Sequence, residues 1–311
     1  MKVHRDFSSY FNIKNPVVTV GTFDGVHLGH QKIISRLKKI AKSVNGETVL
    51  LTFHPHPRKV LFNDNNIKLI HTLNEKIEVL KANGLDHLVI YPFTETFSKF
   101  SAQKYIEELL VKKLNTHTLV IGYDHHFGND RKGNITLLEK LKGKYNYKLE
   151  EISAHEIDEI KVSSTKIRNA INNGDVHLVP EFSGYHFEFT GMVIKGQGIG
   201  QKLNYPTANI HIENENKIIP NNGVYAVKCK LLNGVAKGVM NIGKRPTLGN
   251  NNNLSIEIHI FNFNKDIYGE ELKVTVIQKI REEQKFENMS TLKNQIAIDC
   301  KSAHQILHKI D

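Results

Sequence analysis

Over roughly the first 180 residues, apolar runs of strand length alternate with stretches whose apolar positions return every third or fourth residue. PVVTVG (16–21), ETVLLTF (47–53), DHLVIYPF (86–93), THTLVIG (116–122) and the weaker YKLEEIS (147–153) read as strands. HQKIISRLKKIAKSV, NEKIEVLKANG, SAQKYIEELLVKKL and NITLLEKLKG read as helices, three of them closed by a glycine. Strands of nearly continuous apolar character between amphipathic helices predict a parallel sheet covered on both faces, a Rossmann-like α/β unit. Ligands of such sheets collect at the carboxyl ends of the strands. GTFDGVHLGH, TFHPHPRK and IGYDHHFG each follow a predicted strand, so all three are expected to converge on one crevice.

Past SSTKIRNAINNGDV the period changes to two. HFEFTGMVIKG, YPTANIHI, GVYAVKCKLL, GVAKGVMNIG, SIEIHIF and ELKVTVIQKI are short alternating segments separated by Gly, Asn and Pro, the pattern of a small antiparallel β-barrel. A helical stripe of Met289, Leu292, Ile296, Ala303, Ile306 and Ile310 predicts a terminal helix packed on that barrel. NNNNLS (250–255) reads as a loop. The change of period places a boundary at 181/182, with domains 1–181 and 182–311.

Composition fits two domains: 311 residues with 40% hydrophobic content exceed the usual single domain and fill two cores. A formal charge of +10 suits phosphate-bearing partners, but the lysines are scattered and form no basic block, which argues against a nucleic-acid arm. Cys229 and Cys300 are too few and too distant for a disulfide framework or a thiolate zinc site, and read as reduced thiols. With no signal-peptide core and no run of about 18 apolar residues, the chain is expected to be soluble and cytoplasmic.

The first chemistry lies in GTFDGVHLGH. A strand ending at Gly21, a tight turn over Asp24 and Gly25, and a helix starting near Gly29 gather backbone amides and a helix dipole into a phosphate site. His27 and His30, three apart, can share a face and donate to phosphate oxygens; with no third ligand beside them they make an incomplete zinc site. In VSSTKIR, Ser163, Ser164 and Thr165 can cap a helix and offer hydroxyls, while Lys166 and Arg168 bring charge for a leaving pyrophosphate.

The GxFDGxHxGH pattern resembles the HxGH nucleotidylyl transferase superfamily, and VSSTKIR its ISSTxIR segment. TFHPHPRKV and VIGYDHHFGNDRKGN are similar to the adenylyl-transfer module of the bacterial bifunctional riboflavin kinase/FAD synthetase family. GMVIKGQGIGQKLNYPTANI, GVYAV, GVMNIGKRPT, IEIHIFNFNKDIYGEEL and KIREEQKFENMSTLKNQIAID resemble its kinase module in order and spacing. The resemblance thus spans essentially the whole chain.

It implies an enzyme that phosphorylates riboflavin with ATP to FMN in the barrel and adenylylates FMN with a second ATP to FAD and pyrophosphate in the α/β domain. It further implies catalytic roles for His27 and His30. Nucleotide phosphates would lie against Gly21, Phe23, Asp24, Gly25, Gly29, Ser163, Ser164, Thr165 and Arg168, and the flavin near Pro55, His56, Pro57 and Asp124. In the barrel, backbone at Gly196, Gly198 and Gly200 can approach ATP closely. Thr207 and Asn209, two apart on a strand face, present the hard oxygens that suit Mg2+. Glu257 alternates with buried isoleucines in SIEIHIF; the resemblance makes it the base for the ribityl 5'-hydroxyl, and Arg281 a flavin contact. The partners expected are riboflavin, FMN and ATP, with neither nucleic acid nor membrane.

The chain departs from the family pattern at His54, His125 and the EFSGYHFEFTG joint, and at Asn204, where a glycine is usual and asparagine tolerates left-handed backbone. Two other readings stay open: a nucleotidylyl transferase of another small phosphate ester, which leaves PTAN and Glu257 idle, and a nucleic-acid-binding barrel, which lacks the clustered aromatic and basic surface that stacks bases.

Overall fold

The computed structural model describes residues 1–5, 12–62, 67–123, 125–153, 162–196, 198–232, 234–244 and 254–310. They form two compact units, Met1–Ser164 and Thr165–Asp311.

The first unit is built on a wholly parallel six-stranded sheet in the order β1-β4-β3-β2-β5-β6. The strands are β1 Lys2–His4, β2 Val17–Val20, β3 Thr48–His54, β4 His87–Pro92, β5 Thr118–Gly122 and β6 Lys148–Ile152. All five predicted strands are present. β1 has only three residues, too few to show a period; it is recruited at the edge, where Lys2 N–H donates to Asp86 O at 2.7 Å. Both faces of the sheet are covered. Val18, Val20, Leu51, Val89 and Ile121 bury on one side, while Val17 and Val120 pack with Leu37 and Ala41 of helix α1 (Leu28–Ser43) on the other. Successive residues of one strand are therefore both apolar, and the alternation is lost.

Further helices are α2 (Pro57–Leu61), α3 (Leu73–Ala82), α4 (Glu95–Ser98), α5 (Ala102–Tyr105) and α6 (Ile135–Tyr145). The segment expected as one helix from 101 to 114 winds α-helically through α5 and then as a π-helix over Ile106–Lys113. Gly143 does not stop α6, which runs two residues further and ends at Asn146 in the left-handed region (φ 55°).

α7 (Ser164–Asn173) begins at the last residue of the first unit and runs on into the second, which continues with α8 (Val179–Ser183) and closes a six-stranded antiparallel barrel, β10-β11-β8-β7-β12-β9, through pairing of β9 with β10. The strands are β7 Phe187–Ile194, β8 Ala208–His211, β9 Gly223–Leu231, β10 Gly234–Lys244, β11 Leu254–Ile260 and β12 Glu271–Arg281. Between β7 and β8 lies the single turn α9 (Ile199–Lys202), after which Asn204 takes φ 66°, the left-handed geometry expected of it. The terminal helix α10 (Met289–His308) lays Ala303 and Leu307 on Val224, Ala226, Val239, Phe261 and Ile277. Of the predicted stripe, Ala303 and Ile306 pack there, Leu292 and Ile296 line a cavity, and Met289 and Ile310 are exposed.

Candidate active sites

Strand order in the α/β unit reverses at β2, which pairs with β3 on one side and β5 on the other. That switch point is where an open parallel sheet leaves a crevice. GTFDGVHLGH leaves β2 there. The turn is tight: Phe23, Gly25 and Val26 have φ of 48°, 80° and 30°. A side chain on Gly25 would strike Ile70, and one on Gly29 would meet the His27 ring at 3.1 Å. Asp24 is buried, and its carboxylate accepts the backbone N–H groups of Ile70 (3.0 Å) and His71 (3.2 Å). It therefore holds the turn against the segment entering α3.

His27 is the N-cap of α1, its Nδ1 accepting from His30 N–H at 3.4 Å. The His30 ring stacks on both neighbours, with centroids 3.7 Å from His27 and 4.3 Å from Phe23. The two histidines thus share one face, as their spacing requires. Burial pushes the His27 pKa down to about 4, against a smaller upward pull from Asp24. Burial, then the charges of His27, Lys76 and His71, holds His30 well below the ordinary range. Both imidazoles are neutral at pH 7, and His30 Nδ1 is buried with no hydrogen-bond partner among the described residues. No group of three His, Cys, Asp or Glu side chains among the described residues is arranged to hold a metal ion.

The serine segment closes on the same turn: Ser164 Oγ donates to Asp24 O at 2.8 Å, so Ser163 and Ser164 stand beside it. Thr165 and Arg168 follow along α7. At the end of β3, His56 caps α2 by accepting from Arg58 N–H at 3.2 Å, between Pro55 and Pro57. Asp124 lies outside the described residues. Two members of this site escape sequence reading, Lys76 and Thr52. Lys76 donates to Thr22 O (3.0 Å) and Thr52 Oγ1 (3.2 Å), yet in NEKIEVLK it looks like any polar position of a helix.

In the barrel, Glu257 stands on β11 directly across from Asn209 of β8 and Asn241 of β10. Its carboxylate accepts from Thr207 Oγ1 (3.4 Å) and Ser255 Oγ (3.1 Å). Ile256, Ile258 and Ile260 are buried on the opposite face, so the alternation read from SIEIHIF holds. The glycine loop folds onto PTAN. A Cβ on Gly196 would collide with the Asn209 carboxamide and one on Gly200 with Tyr205 O, while Gly198, at φ 70°, faces open space. Thr207, Asn241, Glu257 and His259 line a cavity of about 250 Å³ with Phe286 and, from α10, Leu292. Arg281 also lines it, forked onto Asp299 of α10 by bonds of 2.9 and 2.7 Å. Asn241 and Asp299 belong to no motif, and their only sequence signal is that each is a polar residue inside an apolar run (VMNIG, IAIDC).

A parallel sheet with a tight, histidine-bearing turn at its switch point, followed by a barrel whose carboxylate sits among hydroxyl and amide groups, fits a two-module transferase. The family model for FAD synthetase matches residues 11–166, and that for riboflavin kinase residues 183–307. A bifunctional riboflavin kinase/FMN adenylyltransferase of Buchnera aphidicola from Schizaphis graminum is 42% identical over 92% of both chains. The Bacillus subtilis protein of that description is 37% identical over 92% of this chain and 91% of its own. A solved structure, described as a macrolide-efflux protein from Streptococcus pneumoniae, superposes with a TM-score of 0.87 at 28% identity, covering 97% of this chain and 98% of that one. The chain belongs to the bifunctional riboflavin kinase/FMN adenylyltransferase family. Among the described residues no helix is long and apolar enough to cross a membrane.

Proposed function

We propose that the barrel phosphorylates riboflavin with ATP and that the α/β unit adenylylates the FMN so formed, with the functional division at 181/182 and the work done in the cytoplasm. One observation carries the reading: the chain divides into two compact units, and the family model for each half-reaction falls almost wholly within one of them.

In the barrel the ribityl 5'-hydroxyl attacks the γ-phosphorus of ATP, Glu257 takes its proton, and the β–γ bridge breaks to release ADP. Thr207 and Ser255 orient the carboxylate. A positioned base of this kind contributes about 10²- to 10⁴-fold. The backbone of Gly196, Gly198 and Gly200 covers the phosphates, and Arg281 borders the flavin. The side-chain oxygens of Thr207 and Asn209 fit Mg2+, which would neutralise phosphate charge when bound with ATP.

In the α/β unit an FMN phosphate oxygen attacks the α-phosphorus of ATP in line, and the α–β bridge breaks to release pyrophosphate. No side chain forms a bond to phosphorus; the site positions the groups and neutralises charge. His27 and His30, held neutral, donate to the phosphoryl oxygens on which charge gathers. Backbone from Gly21 through Phe23, Asp24, Gly25 and Gly29 cradles the phosphates, with Ser163, Ser164, Thr165 and Arg168 at the leaving pyrophosphate. Pro55, His56, Pro57 and Asp124 form the flavin side.

Chromatography of a riboflavin and Mg-ATP incubation is expected to show FMN and then FAD. Glu257→Gln is expected to abolish FMN formation yet leave FAD synthesis from supplied FMN, and His30→Ala to do the reverse. Equal loss of both activities in either variant refutes two separate centres.

A further inference from the structure

Lys76 is a buried cation with no place in the chemistry above. It projects from α3 to the exit of β2, just past the last rung of the β2–β3 ladder, where Gly21 N–H donates to Leu51 O at 3.1 Å. One residue further on, Thr22 O is bound by side chains. It accepts Lys76 Nζ at 3.0 Å and Thr52 Oγ1 at 3.3 Å, while Lys76 also donates to Thr52 Oγ1 at 3.2 Å. Three elements are thereby tied at one point, and Thr52 is fully buried. The turn departs immediately afterwards, with Phe23 at φ 48° and its ring beneath His30. The direction of the Thr22 carbonyl therefore sets the bed of the histidine pair.

We propose that Lys76 is a positioning residue for adenylyl transfer: its ammonium clamps Thr22 and Thr52 together beneath the phosphate turn and places a positive charge beside the histidine pair. The inference rests on the adenylyl-transfer reading of this site. A neutral donor would satisfy Thr22 O without the cost of burying an ammonium, so the charge itself calls for a function. Three groups feel it: Asp24 from the turn, His30 from α1 and His54 at the end of β3. Asp24 is already engaged by the Ile70 and His71 amides. Around His30 stand His27 from the same turn, Lys76 from α3 and His71 from the segment before it. Burial brings Lys76 down to about 8, so it remains largely cationic at pH 7 and opposes protonation of His30.

The test compares Lys76→Met with Lys76→Gln, which keeps a neutral donor, in the full chain. FAD synthesis from supplied FMN is measured from pH 5 to pH 9 and riboflavin phosphorylation alongside. In Lys76→Met, kcat/KM for FAD synthesis is expected to fall roughly 10- to 100-fold with the loss of a charged hydrogen-bond donor, while FMN formation is unchanged. In both variants the acid limb of FAD synthesis is expected to move to higher pH, since His30 then protonates more readily. Lys76→Gln is expected to recover part of the rate without restoring the limb. An acid limb that coincides with wild type in both variants overturns the proposal, as does loss of the N-terminal unit's thermal transition in both, which makes Lys76 a core strut. Wild-type protein that forms no FAD at all removes the adenylyl-transfer reading and this inference with it.

Discussion

Arg281 and Asp299 show how one residue pair can join a barrel to its terminal helix. Asp299 is 3% exposed, accepts both arms of the Arg281 fork, and takes a further bond from Gln295 Nε2 at 2.9 Å. Burying such a pair adds little by itself, but removing one partner strands the other charge. Asp299→Ala is expected to cost about 3 kcal/mol. A thermal melt should show that as a fall of roughly 10 °C in the C-terminal transition. FMN formation should decline as well, because Arg281 forms a wall of the cavity beside Glu257. An unchanged melting temperature would mean that the guanidinium finds another anion. The two cysteines are inert by comparison: burial pushes the Cys229 thiol up to about 12 and, with the nearby Asp299 charge, the Cys300 thiol to about 11, so both stay protonated, as reduced thiols should.

Among the elements, α1 bears most directly on the first site, and its start is sensitive to acid. His27 caps the helix through Nδ1, which accepts only while that nitrogen is unprotonated. Its folded pKa of about 4 lies below the ordinary 6.5. Between those values the unfolded chain binds more protons than the folded one, so stability falls as pH drops from about 6.5 to about 4 and the loss levels off below. This partly exposed ring accounts for at most on the order of 3 kcal/mol. His27→Asn keeps a good N-cap and removes the titration. Urea unfolding of the N-terminal unit from pH 7 to pH 4 should therefore be less pH-dependent in the variant, and equal slopes would place the acid sensitivity elsewhere.

How legible an element was depended on whether its period outlasted its ends. The five longer strands and α1 announced themselves because burial on one or both faces fixes composition over four or more residues. β1 was silent because three residues carry no period. The π-helical turn over Ile106–Lys113 was equally invisible, since apolar spacing records which side is buried and not how each carbonyl is paired. At the sites, motif residues could be read because turns and caps demand particular types, such as Gly25 at φ 80°. Lys76 could not, because its role depends on where α3 meets β2 and β3, a tertiary fact that one lysine in a helix does not encode.

At the scale of the whole molecule, the chain divides into two compact units, and FMN is the product of one half-reaction and the substrate of the other. If catalysis requires only that each unit be intact, the two half-reactions need not occur on the same polypeptide. A mixture of Glu257→Gln and His30→Ala chains is then expected to make FAD from riboflavin and ATP, although each variant alone makes none. FMN released by the His30→Ala chain would bind the intact α/β unit of the Glu257→Gln chain. The rate should depend on the concentration of the second variant and approach that of wild type once released FMN saturates its site. Supplied FMN gives the control, since the Glu257→Gln chain should convert it unaided. Persistent failure of the mixture while both controls work would show that FMN passes between units of one chain without equilibrating with solution, and independence of the two modules would have to be abandoned.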